Sequence, residues 1–141
     1  MRLSNLADYA IVLMGAAARQ CGGTRLTAAR LAEAAHVPEA TAHKLVQRLV
    51  RSGLLRAVRG PGGGIKLARP AAAISLADII EAIEGPIAMT NCIDDGACAC
   101  GIKSNCAVRP HWQAVNGAVR GALAAVTLAN MSGHAPMERV G

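Results

Sequence analysis

The chain has 141 residues, 52% of them hydrophobic and 1% aromatic, with no Phe, one Tyr and one Trp. That length fits a single domain, and that hydrophobicity excludes a chain disordered throughout. With so few aromatics, Ala, Leu, Val and Ile must build the core, which favours close-packed helices over an aromatic-rich sandwich. The net charge of +6 is uneven: residues 1–70 carry 11 Lys+Arg against 3 Asp+Glu, and residues 71–141 carry 4 against 6. The N-terminal half is therefore suited to a polyanionic partner. No stretch reaches the roughly 20 apolar residues of a membrane span. The early apolar run Ala10–Ala18 follows Asp8 and leads to no cleavage-type site, so the chain reads as cytoplasmic.

In chain order, Ser4 to Gln20 predicts a helix capped by Ser4, with Leu6, Tyr9, Ala10, Leu13, Ala16 and Ala17 on one face. Thr27 to Ala35 predicts a short second helix capped by Thr27, with Leu31 and Ala34 inward. His36-Val37-Pro38 is a tight turn, and Pro38 suits the start of the next helix. That third helix runs over 39–52 with an apolar stripe of Ala42, Leu45, Val46 and Leu49. Its other face carries Thr41, His43, Lys44, Gln47, Arg48 and Arg51. Leu54–Arg59 and Ile65–Arg69 predict two strands around the turn Gly60-Pro61-Gly62-Gly63-Gly64. Pro70–Ala73 links to a helix over 75–84 with a Ser75–Asp78 capping box, broken by Gly85-Pro86. Residues 87–107 form a cysteine-rich loop. Arg109 to about Met131 predicts the longest helix, where Trp112, Val115, Val119, Ala122 and Val126 recur at steps of 3, 4, 3 and 4. Such a seam wants a partner helix. The last ten residues read as a frayed tail.

Short helix, tight turn, polar-faced helix and β-hairpin is the layout of a winged helix-turn-helix, whose second helix enters the major groove. The expected fold is thus mainly α with a small β-hairpin wing, extended by a long C-terminal dimerisation helix. It divides into a DNA-binding region (1–70), a connecting helix with the cysteine loop (71–107), the dimerisation helix (108–131) and a tail (132–141). Arg and Lys there suit guanine edges or phosphates, and Gln suits adenine. The candidate DNA contacts are Arg2, Thr41, His43, Lys44, Gln47, Arg48, Arg59, Gly63 and Lys66, with Arg56 also on the wing. Glycines at the turn let a backbone approach a groove closely. A charge run by itself would only solvate a helix; the order of elements and the charge of this half raise it to a DNA face. The glycine turn is no phosphate loop, because it lacks a Gly directly before Lys66 and a hydroxyl residue after it.

Cys92, Cys98, Cys100 and Cys106 lie within fifteen residues, and Cys21 stands apart. In a cytoplasmic chain such a cluster points to a metal or redox site. The intervening gaps are five residues from Cys92 to Cys98, seven from Cys92 to Cys100 and five from Cys100 to Cys106. Zinc ribbons need two close pairs, and ferredoxin runs need tighter gaps; neither is present. Wide gaps can wrap something larger than one ion, and thiolates are the standard ligands of iron–sulfur clusters. Four thiols without metal, and zinc, remain the alternatives on spacing alone. There is no nucleophile–base constellation and no cofactor fingerprint, so no enzyme and no small-molecule substrate are expected.

These residues together resemble the iron–sulfur winged-helix regulators of the IscR/NsrR type, and among them the subgroup that controls SUF iron–sulfur assembly genes. The resemblance spans about residues 1–131. It is carried by Met1-Arg2-Leu3-Ser4 with Asp8-Tyr9-Ala10, the wing segment from Gly62 to Pro70, Ile74 to Pro86, and Cys106 to Trp112 with the helix that follows. It implies a homodimer joined through the long helix on a near-palindromic double-stranded DNA operator. It also implies an iron–sulfur cluster, 2Fe–2S or 4Fe–4S, held by three cysteines of each subunit. Cys106 and Cys92 carry over first, and Cys100 is favoured as the middle ligand with Cys98 as its alternate. Asp8 stands where some members use an acidic fourth ligand; on the ordinary reading it is a helix-start charge favoured by the dipole. His111, five positions beyond Cys106, is a weaker candidate. Two other readings are a metal-free thiol-redox or partner-responsive repressor of the same fold, and a small iron–sulfur carrier.

Overall fold

The computed structural model describes residues 3–20, 25–61, 63–88 and 107–133. The elements in order are α1 (Asn5–Arg19), α2 (Ala28–Ala35), α3 (Glu39–Arg51), β1 (Leu55–Val58), β2 (Gly64–Leu67), a 3-10 turn (Ala71–Ala73), α4 (Leu76–Glu84), α5 (Arg109–Ala125) and α6 (Leu128–Met131). The start signals work as expected. The Ser4 hydroxyl accepts the Ala7 N–H at 3.2 Å, and Thr27 accepts the Arg30 N–H at 3.2 Å. Ser75 and Asp78 close a reciprocal capping box at 3.1 and 2.9 Å. His36 ends α2 in the left-handed region with φ of 55° and turns the chain toward α3.

The stripe Ala42, Leu45, Val46 and Leu49 is buried, as its spacing predicts. It packs α3 against α1, α2, α4 and β1. The largest fully buried side chains are Leu13, Met14, Leu31, Leu45, Leu49, Leu54, Leu55, Ile74, Ile79 and Leu128. None is aromatic, and alanines fill the remaining close approaches on α1 and α2. α1 touches α2, α3, α4, α6 and β2, so it is the central element.

Four details differ from the sequence expectation. Leu6 is 41% exposed, because the buried face of α1 runs through Ala7, Ala10, Leu13, Met14 and Ala17. Ala34 is exposed, while Ala28, Leu31, Ala32 and Ala35 are buried, so α2 is rotated by one position. The long helix stops at Ala125, short of Met131. There Val126 and Thr127 turn extended and Thr127 forms a bridge with Ser75. The Leu76 N–H donates to the Val126 carbonyl and the Leu128 N–H to the Ile74 carbonyl, both at 2.8 Å. Thr127 and Asn130 then cap α6, which buries Leu128 in the core. The strands are also shorter than expected, and Gly64 joins the second strand at the turn end.

Candidate nucleic-acid interface

α2, the His36 turn and α3 form the helix-turn-helix, and the antiparallel pair β1–β2 follows directly as the wing. Burying one stripe of α3 forces its other face outward. His43, Lys44, Gln47 and Arg48 are exposed and Thr41 is half-buried. Lys44, Gln47, Arg48 and Thr41 line one surface groove of about 380 Å³ with Leu6 and Arg51. Sequence reasoning placed Arg51 on this face without naming it as a contact, and it assigned Leu6 to the buried face of α1. A large apolar side chain standing 41% exposed beside a basic row was the signal available, once the phase of α1 was known. His43 faces Glu39 one turn earlier, Nε2 to Oε1 at 3.5 Å, so part of its polar capacity is used inside the helix.

Arg48 has a second role. Its guanidinium donates to the carbonyl oxygen of Ile83 at 3.3 Å, in the last turn of α4. Arg guanidinium carries five N–H donors, so this bond leaves others to face a phosphate or base.

On the wing, Arg56 stands directly opposite Lys66, and both are exposed. Like charges in direct cross-strand register are destabilising by themselves. A polyanion beside them removes that cost, which makes the pair the most specific electrostatic feature of the hairpin. Arg59 lies exposed beyond β1. Gly63 is buried rather than displayed, and a Cβ there would lie 2.2 Å from the Val58 carbonyl oxygen. Its missing side chain is demanded by the hairpin itself. Gly64, with φ of +136°, brings the backbone against Leu26, whose carbonyl accepts the Ile65 N–H at 2.8 Å. That bond ties the wing to the segment entering α2.

The cluster candidates are mostly out of view: Cys92, Cys98, Cys100 and Cys106, and also Arg2 and Cys21, lie outside the described residues. Asp8 is exposed in the first turn of α1, and His111 is exposed in the first turn of α5. Among the described residues no three His, Cys, Asp or Glu side chains come together as a metal site, and no helix is long and apolar enough to cross a membrane.

A helix-turn-helix with a basic outer face and a basic wing defines a winged-helix DNA-binding regulator. The family model of Rrf2, described as iron-dependent transcriptional regulator, matches residues 3–134, and the chain belongs to the Rrf2 family. The HTH-type transcriptional regulator IscR of Cereibacter sphaeroides is 38% identical over 103 residues, covering 72% of this chain and 64% of that protein. IscR of Escherichia coli is 29% identical over 131 residues, covering 93% of this chain and 80% of that one. Among solved structures, CymR, the global cysteine regulator of B. subtilis, superposes with a TM-score of 0.74 at 26% identity, covering 96% of this chain and 98% of that chain. The protein is a transcriptional regulator, and DNA is its partner.

Proposed function

We propose that operator affinity in this regulator is set by an iron–sulfur cluster held in the segment between α4 and α5, and that its targets include iron–sulfur assembly genes. The observation that carries this is the donor set: four thiols within fifteen residues of sequence, bracketed by those two helices. Thiolates at these gaps suit an iron–sulfur cluster better than a single zinc ion. Cys92, Cys100 and Cys106 would hold it, with Cys98 the alternate in the middle. Asp8 and the spare thiol Cys98 are the candidates for a fourth ligand, and His111 is the weaker one. When bound, the group supplies a redox- and oxidant-sensitive centre. The chain would act as a homodimer, its two α3 helices presented to two half-sites. The apolar side chains Trp112 and Val115, 37% and 44% exposed on α5, support that contact. Residues 1–70 would form the DNA-binding region, 71–107 the connecting and sensing segment, and 108–131 the dimerisation region.

A second reading is favoured by the likeness to CymR: a metal-free regulator that responds through its thiols. One experiment separates them. The protein is purified without oxygen, its visible spectrum recorded, and iron and acid-labile sulfide assayed per subunit. A brown protein with near-equal iron and sulfide, lost in Cys106→Ala without loss of fold, is the expected result. A colourless protein with neither, even after reconstitution, overturns the cluster and leaves the thiol reading. A carrier protein would show a cluster but no salt-sensitive DNA binding, and it would leave the Arg56–Lys66 pair without a purpose.

A further inference from the structure

Four hydrogen bonds from distant parts of the chain meet between Glu81 and Ile87. The recognition helix reaches in through Arg48, whose guanidinium donates to the Ile83 carbonyl at 3.3 Å. The N-terminus reaches in through the Ser4 N–H, which donates to Glu84 Oε1 at 2.9 Å. α5 reaches in twice: Arg120 Nε donates to Glu81 Oε1 at 2.7 Å, and Asn116 Nδ2 donates to the Ile87 carbonyl at 2.9 Å. Arg48 lines both the groove with Lys44 and Gln47 and the one between α3 and α4. It therefore stands at the junction of the DNA face and the α4 turn.

Gly85 closes that turn with φ of 84° and ψ of −173°. Only glycine adopts this combination without strain. Pro86 follows and fixes the next φ. The turn is thus a defined unit, joined on one side to the recognition helix and on the other to the chain leading toward Cys92. The Arg48–Ile83 bond is long for a charge-assisted hydrogen bond, so it is weak enough to break reversibly.

We propose that the last turn of α4 is a coupling joint. It holds the Arg48 guanidinium in the DNA-facing row of α3, and displacing the turn releases Arg48 and lowers operator affinity. Arg48 is the DNA-contacting residue, while Gly85 and Glu84 are positioning residues that act through it. The source of the displacement, a change of state in the cysteine segment, rests on the regulatory reading above.

The test is a double-mutant cycle between Gly85→Ala and Arg48→Ala, read as operator affinity at fixed salt. The probe is a duplex that the wild-type protein selects from a random-sequence library. Gly85→Ala adds a Cβ that meets nothing within 4 Å, so it acts only by forcing the backbone out of its turn. In the Arg48 background it should weaken binding roughly fivefold, the low end of coupling between sites. In the Arg48→Ala background it should have less than a twofold effect. Equal weakening in both backgrounds would mean a general loss of stability and would overturn the joint. No weakening in either would overturn it as well. Should Gly85→Ala fail to fold, the same cycle is run with Glu84→Ala, which cuts only the Ser4 tie; Glu84→Gln, which keeps an acceptor, should then restore binding. The readout is DNA binding alone. A colourless protein therefore sinks the cluster and leaves the joint standing, whereas additive effects sink the joint with the cluster intact.

Discussion

Gly63→Ala separates two reasons for a glycine in the wing. If the residue is there to let DNA approach, the substitution should weaken binding and leave the fold alone. The structure gives the other reason: the new Cβ would lie 2.2 Å from the Val58 carbonyl oxygen and 2.8 Å from that of Gly60. Neither backbone atom can move without opening the turn. Opening it breaks the Gly63 N–H bond to the Gly60 carbonyl, 2.9 Å long, and the last strand pair, Val58 with Gly64. Backbone hydrogen bonds contribute about 0.5–1.5 kcal/mol each, so the loss is about 1–3 kcal/mol. It is no larger because Arg59, Gly60 and Pro61 are exposed and can open without disturbing Leu54 or Leu55 in the core. At about 4 °C per kcal/mol for a chain of this size, the melting temperature should fall by about 4–12 °C. Thermal unfolding followed by circular dichroism measures this directly, beside DNA affinity at fixed salt. A variant that melts within about 2 °C of wild type yet binds DNA poorly would refute the packing argument.

Four other substitutions address the DNA face, the α4 turn and the α5 seam. Lys44→Ala should reduce the slope of log affinity against log salt by roughly 0.9, as expected for one lost phosphate contact; an unchanged slope removes Lys44 from the interface. The Glu84 carboxyl is held below its ordinary value of 4.5 by hydrogen bonds from Ser4, from its side chain first and then its backbone N–H. A carboxyl depressed in the folded state stabilises fully above its unfolded pKa, and loses that contribution as pH falls through the folded value. The melting-temperature advantage of wild type over Glu84→Gln should therefore shrink on acidification below the ordinary carboxylate range, and an advantage that grows there contradicts the Ser4 tie. Val115→Asp, on the exposed side of α5, should convert the dimer proposed above to monomers in analytical ultracentrifugation. Val126→Asp, in the stretch whose carbonyl bonds Leu76, should lower the melting temperature and leave the association state alone. The opposite pattern would place the interface elsewhere.

How much of this was legible in the sequence depends on the range of the forces involved. The α3 stripe and the caps at Ser4, Thr27 and Ser75 are local: their periodicity and hydroxyl positions determine both burial and the first turn. The phase errors at Leu6 and Ala34 are errors of one position, and they arise because neighbouring alanines leave the apolar face of α1 and α2 poorly marked. The cysteine spacing pointed to a ligand class but could not choose between Cys98 and Cys100. The tie between Arg48 and Ile83, 35 residues apart, is invisible to spacing rules. It joins a side chain to a backbone carbonyl, and only the packing of α3 on α4 brings the two together.

The break in the C-terminal helix shows what such non-local pairing achieves. The seam through Trp112, Val115, Val119, Ala122 and Val126 suits one continuous helix, and nothing at Val126 itself forbids it. Continuing the helix would leave the Ser75 bridge unmade and keep Leu128 and Ala129 from the core, where they are 0% and 8% exposed. Burying Leu128 is worth roughly 1.5–3 kcal/mol, which offsets the one or two helical hydrogen bonds given up at the break at about 0.5–1.5 kcal/mol each. The Thr127–Asn130 capping box compensates part of that loss. A local hint was present, since a Thr followed three residues later by a side chain able to reach back is a helix-start signal. The same bridge carries a mechanical consequence. The extended Val126–Thr127 stretch is bonded to the residues that open α4, while Arg120 and Asn116 bind its far end and the turn beyond. α4 is therefore held to α5 at both ends and to the recognition helix through Arg48. A rigid shift of α5 against a partner would be passed on to the DNA face through α4.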